Sequence, residues 1–232
     1  MRRVPAASQA VADLGDEKVA SVSQDARRAR RAGKVVLQIY RESAAYVAAV
    51  AESQGVTCRT GCSHCCKLPA TSTVPEMVPV VEYLASRSDW KKRRPALERE
   101  LRHQLAEFAT VDVLDEGERV AFFRRQLACM FLKGDRCEIY ALRPAVCRYH
   151  MVVSPPDNCE IGPESRPIAL VDMQRVENTV AIEGAKALGE LTGGPIALAF
   201  VLAADLLGVE LDVDRTLLDR VTNVCIAVRA HA

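Results

Sequence analysis

Apolar and small residues recur at alternating steps of four and three between residues 19 and 54: Val22, Ala26, Ala29, Gly33, Val36, Tyr40, Ser43, Val47 and Val50. That period marks one face of an α-helix. Most of these side chains are small, so the stripe predicts close packing against another helix. Arg27, Arg28, Arg30, Arg31 and Lys34 lie off the stripe and read as a solvated basic face. Residues 1–18 read as a loose start, and Gly55 as the helix stop.

Further helices follow. Thr73 and Glu76 fit a capping box at the head of a helix reaching about Ser86, although Pro79 inside it predicts a bend or a later start. Leu97, Leu101, Leu105 and Phe108 share a helical face behind the basic run Lys91, Lys92, Arg93 and Arg94, with Pro95 expected in the first turn. Asp115 and Glu118 cap a helix over residues 116–127. The texture then changes. Two short runs, residues 129–132 and 137–140, flank Lys133-Gly134-Asp135-Arg136 and read as a β-hairpin. Pro144 opens a short helical turn, and residues 154–159 are loop. Helices resume over residues 173–188, 196–207 and 217–228, with Gly193-Gly194-Pro195 as a break. The expected fold is mainly α: a helical domain around a small β-hairpin and an irregular cysteine-rich metal-binding core. Its parts are an N-terminal extension and long helix (1–57), the cysteine region (58–159) and C-terminal helices packing on the same domain (160–232).

Composition adds bounds. The chain has 232 residues, 49% apolar and 26% charged, enough for one domain with a real core. The net charge of +1 supplies no global field for nucleic acid or an anionic membrane, and aromatics at 5% give no stacking platform. No apolar signal segment follows Met1-Arg2-Arg3, and the run 195–209 is interrupted by Asp205 and falls short of the roughly 20 residues of a membrane span. The expected location is the cytoplasm, with an unidentified protein or redox partner. Thiols there serve as metal ligands or redox groups more often than as disulfides.

The chemistry lies in the thiols. Of nine cysteines, eight fall between Cys58 and Cys159. Cys58, Cys62, Cys65 and Cys66 are spaced C-x3-C-x2-C-C, and Cys129, Cys137, Cys147 and Cys159 follow. Thiolates are soft anionic ligands for zinc and iron–sulfur clusters, so all eight are candidate metal ligands, in one site or two. Cys225 sits among apolar residues and reads as a buried thiol. His64 and His150 lie in the motifs, where an exposed or supporting role is favoured over ligation. Arg143 and Arg148 flank Cys147 and are expected to offset the negative charge of a thiolate-bound cofactor. Tyr140 and Tyr149 suit core packing or hydrogen bonds to sulfur. Glu76 is a helix cap, with a ligand or general-base role left open. The Cys58-x3-Cys62-x2-Cys65 spacing also matches the radical S-adenosylmethionine motif. Yet His64 stands where that motif carries an aromatic, and no repeated strand–helix units follow.

Together, Cys58, Gly61, Cys62, Cys65 and Cys66, then Glu76, then Cys129-Met130-Phe131-Leu132, Cys137-Glu138-Ile139-Tyr140, Arg143-Pro144, Cys147-Arg148-Tyr149 and Cys159 resemble the YkgJ-type cysteine-cluster family, described as chelating zinc or iron. The resemblance covers residues 58–159 and implies a metal or iron–sulfur centre held by these cysteines. A distant relative sharing the pattern is the flagellin lysine N-methylase. The expected function is a metal-binding protein holding an iron–sulfur cluster, of the four-iron type, with a redox or oxidoreductase role. The alternatives are a zinc or iron ion in a structural interaction module, and a lysine methylase-like modifying enzyme. A Rossmann-type glycine loop for S-adenosylmethionine is not visible.

Overall fold

The computed structural model describes residues 7–59, 61–112, 115–159 and 168–231; for residues 7–23 and 224–231 only the backbone course is described, so the reading of Cys225 lies outside it. A single long helix, α1 (Ala7–Ser53), replaces the expected loose start, and it ends where Val56 N–H returns to the Ala51 carbonyl at 2.9 Å. Its stripe is buried from Ala26 to Tyr40, with Ala29 and Val36 fully enclosed, and only half-buried at Ser43, Val47 and Val50. α1 packs on α2 (Val74–Ser86) and α6 (Gln174–Leu188). Gly33 explains how Pro79 is tolerated inside α2. A Cβ at Gly33 would lie 3.0 Å from Val78 and 3.2 Å from Pro79, so its absence lets the proline ring sit against α1.

α3 (Trp90–Phe108) begins earlier than Pro95, which puts that proline inside the helix rather than in its first turn; Leu97, Leu101 and Leu105 are buried. Arg93 is not part of a free basic patch. It makes a two-point contact with Glu138, with Nη2–Oε2 at 2.9 Å and Nε–Oε1 at 3.4 Å, and ties α3 to the cysteine region. α4 (Glu116–Arg124) is capped as predicted, Glu118 N–H donating to Asp115 Oδ1 at 2.8 Å, and stops short because Gln126 takes a positive φ of 50°.

One short sheet went unpredicted. β1 (Thr71–Thr73) pairs antiparallel with β4 (Gly193–Pro195), Ser72 opposite Gly194. The Gly-Gly-Pro break is therefore also a strand. A Cβ at Gly193 would fall 2.6 Å from the Ser72 carbonyl oxygen, so only glycine allows this approach. The predicted hairpin is present but short: β2 (Leu132–Lys133) and β3 (Arg136–Cys137) pair antiparallel. α5 (Ala145–Arg148), α7 (Ile196–Leu207) and α8 (Arg215–His231) complete the helices. α7 is buried along most of its length, and Phe200 meets Phe131 edge-on at 5.6 Å. Among the described residues no helix is long and apolar enough to cross a membrane.

The two halves are joined at Glu76, which is 5% exposed. Its Oε2 accepts from Thr73 N–H (2.8 Å), Thr73 Oγ1 (2.9 Å) and Ser72 Oγ (3.3 Å). Its Oε1 accepts from Tyr40 OH of α1 (2.8 Å) and from Ala145 N–H at the head of α5 (2.6 Å). Burial, and then the Glu76 charge, push the Tyr40 hydroxyl far above its ordinary value, so it stays a donor. Glu76→Ala would orphan several buried donors, each costing about 1–3 kcal/mol. A loss on the order of 4 kcal/mol is expected, lowering the midpoint of thermal unfolding by roughly 8–16 °C in circular dichroism. A shift below about 2 °C would show that the carboxylate does not tie these elements together.

Candidate metal centre

The residues leaving α1 are held by the return segment. Thr57 N–H donates to the Val152 carbonyl at 2.9 Å. Cys58 Sγ accepts from Val152 N–H at 3.4 Å and faces the His150 carbonyl at 3.9 Å. The chain then folds into a 3-10 turn, His64–Lys67, carrying Cys65 and Cys66. The Cys66 carbonyl accepts from Cys129 N–H at 2.8 Å, which joins the first cysteine group to the second. Another 3-10 turn, Pro156–Cys159, packs against the first, with His64 Nε2 3.2 Å from Asp157 Oδ1. Cys137 lies on the hairpin and Cys147 on α5; Cys129 precedes the hairpin rather than lying on its arm.

These elements enclose a cavity of about 460 Å³. Six thiols line it: Cys62, Cys65, Cys66, Cys129, Cys137 and Cys147. Cys58 and Cys159 do not line it, yet Cys159, itself buried, feels the charges of Cys65, Cys58 and Cys62. All eight cysteines described are free thiols. The two arginines predicted beside the centre part company. Arg143 lines the cavity. Arg148 points away, its guanidinium 4.3 Å over the Tyr40 ring and its Nη2 donating to the Ala141 carbonyl at 2.6 Å. Tyr140 lines the cavity too, whereas Tyr149 packs edge-on against Tyr40 and pairs its hydroxyl with Ser43 at 3.1 Å. Neither histidine lines the cavity. His150 Nε2 is buried without a partner, and burial lowers its pKa, so the ring is neutral. Glu76 is a structural bridge and stands outside the cavity lining.

Sequence reasoning missed Arg136 and the apolar wall of Leu68, Ala70, Phe131, Ile139 and Ile196. Arg136 is adjacent to Cys137 and was findable. Ile196 was not, because it arrives from the far end of the chain when its N–H donates to the Ala70 carbonyl at 3.1 Å beside β1 and β4.

The thiols are electrostatically crowded. The side-chain hydrogen bond with Cys66 holds the Cys65 thiol below the ordinary range, and the same bond pushes Cys66 up. Burial pushes Cys129 up to about 11 and raises Cys137 and Cys147 as well. Cys159 is pushed up to about 11, first by burial and then by neighbouring sulfur charge. A bound cation reverses this penalty on the charged form, since a coordinating thiol is deprotonated outright. Among the described residues no three His, Cys, Asp or Glu side chains are yet gathered closely enough to hold one ion. The donors suit a soft metal centre in chemistry, and holding one ion requires them to draw inward.

Residues 57–167 match the family model CxxCxxCC, whose description reads "Putative zinc- or iron-chelating domain". The match covers the cysteine region and leaves the flanking helices outside it. No curated protein and no solved structure matches it.

In metal-free protein the thiolate, the nucleophilic form, appears as pH rises through each thiol's pKa. On raising pH, Cys65 should therefore be alkylated by iodoacetamide ahead of Cys129, Cys147 and Cys159, as read by peptide mass spectrometry. Simultaneous labelling of all four would contradict the Cys65–Cys66 hydrogen bond.

Proposed function

We propose that the cavity holds an iron–sulfur cluster, and that the protein serves in cytoplasmic redox chemistry or as part of a modifying enzyme with a redox partner. The observation carrying this reading is that six thiols and no imidazole line one cavity, with two guanidinium groups among them. Thiolates around a single tetrahedral zinc stand on the order of 4 Å apart. Here the donors are spread along the wall of a larger space, which suits a polynuclear centre better than one ion.

A bound cluster would supply one-electron transfer, at a potential set by nearby charge and by hydrogen bonds to its sulfurs. The chain's own residues then have definable tasks. Cys65, Cys66, Cys129, Cys137 and Cys147 are the favoured ligands, with Cys62 at the edge shared with Cys58 and Cys159. Burial raises Cys137 and Cys147 and the Arg143 charge opposes that rise; at Cys65 it adds to the lowering caused by the bond to Cys66, and the same positive charge would stabilise a more negative, reduced cluster. Glu76 orders the head of α5 and so positions Cys147.

Anaerobic purification followed by iron, zinc and sulfide analysis tests the reading. Coloured protein with iron and sulfide in equal amounts is expected; colourless protein with stoichiometric zinc and no sulfide would overturn it. Cys137→Ser and Cys147→Ser should each lose most of the iron. Arg143→Met should keep its iron but show a lower reduction potential in a redox titration, whereas Arg148→Met should leave the potential unchanged.

A further inference from the structure

We propose that the same cavity receives a small organic molecule with an apolar body and one carboxylate, the body against Leu68, Ile139 and Ile196 and the carboxylate on Arg143 and Arg136. The proposal deepens the metal-centre reading and rests on it for one point, that the ligand lies beside the metal.

The apolar wall points to a ligand other than metal. Apolar side chains cannot ligate a metal, yet Leu68, Ala70, Phe131, Ile139 and Ile196 share the lining with the six thiols. A volume of about 460 Å³ lies within the range of small-molecule sites, which combine a mostly apolar lining with a few placed polar groups. The chain also brings in α7 to complete the wall: Ile196 arrives through the β1–β4 pairing, a contact that no thiol needs.

The cations are placed for an anion. The Arg143 guanidinium lies 3.8 Å over the Tyr140 ring, and its Nε donates to the Tyr140 carbonyl at 3.2 Å. Stacking and the Nε bond fix the plane of the group while leaving both Nη nitrogens for a ligand. A guanidinium held in this way loses less conformational freedom when it engages a carboxylate at two points. Among the described residues neither Arg143 nor Arg136 makes an ion pair, unlike Arg93 with Glu138. Arg136 is exposed at the start of β3.

The charge count selects the ligand class. The cavity lining has two guanidinium groups and one carboxylate, Asp135, which leaves a single positive charge apart from the thiols. Beside a sulfur-rich wall that adds negative charge when metal is bound, two guanidinium groups suit a singly charged carboxylate better than a dianionic phosphate.

Calorimetric titration of the anaerobically purified protein with octanoate, octanamide and octyl phosphate tests the proposal, with metal content measured on the same samples. Octanoate should bind at one site. Octanamide should bind about 10–100-fold more weakly, the loss expected for a hydrogen bond to a charged group. Arg143→Met should weaken octanoate by a similar factor, leave octanamide unchanged and retain the wild-type melting temperature. Equal affinity for octanoate and octanamide, an unaffected Arg143→Met variant, tighter binding of octyl phosphate, or no octanoate binding at millimolar concentration would each overturn it. Octanoate binding in protein without iron would sink the metal-centre reading alone. Full iron without octanoate binding would sink only the carboxylate site.

Discussion

One buried carboxylate holds the cysteine region to the helical scaffold. Glu76 sits at the first turn of α2 and accepts hydrogen bonds from β1, from α1 and from the head of α5. A carboxylate taken out of water is costly unless its lone pairs are used. Here five donors surround it, so desolvation is offset only when three separate parts of the chain are in register. The Arg148 guanidinium over Tyr40 adds positive charge one residue further out. The packing of the long helix and the placement of the turn carrying Cys147 are thus one constraint.

The thiol cavity depends on that scaffold because its own secondary structure is slight. The hairpin has two residues per strand, and the remaining cysteines lie on 3-10 turns, on a four-residue helix and at the junctions between them. Such elements cannot stand alone. Backbone bonds between Cys66 and Cys129, the Arg93–Glu138 contact and the burial of Phe131 against Phe200 supply what they lack. A metal centre would add the remaining cohesion, because thiols drawn from separate segments become ligands of one group when it is bound.

Long periodic segments are legible in the residue order. The small-residue stripe of α1, the leucines of α3 and the caps Asp115 and Glu76 follow from spacing alone, since a 3.6-residue period and a side-chain oxygen three residues upstream are local signals. The features that escape such reading are non-local. The β1–β4 pairing joins residues more than a hundred positions apart, and a three-residue strand of Gly-Gly-Pro has no pattern to read. Pro79 has the character of a helix breaker, and only Gly33 of another helix makes room for it.

The sequence by itself determined the chemistry: eight clustered thiols, a soft-metal donor set, within a mainly helical chain whose cysteine region matches a zinc- or iron-chelating family model. Only the tertiary structure decided how that set is divided. Six thiols line one cavity while Cys58 and Cys159 stand apart, and Arg143 lines it while Arg148, five residues away, stacks on Tyr40. Ligand identity is written in residue type, which the chain states directly. Which groups converge depends on side-chain direction and on contacts between distant segments, and these exist only once the chain is folded.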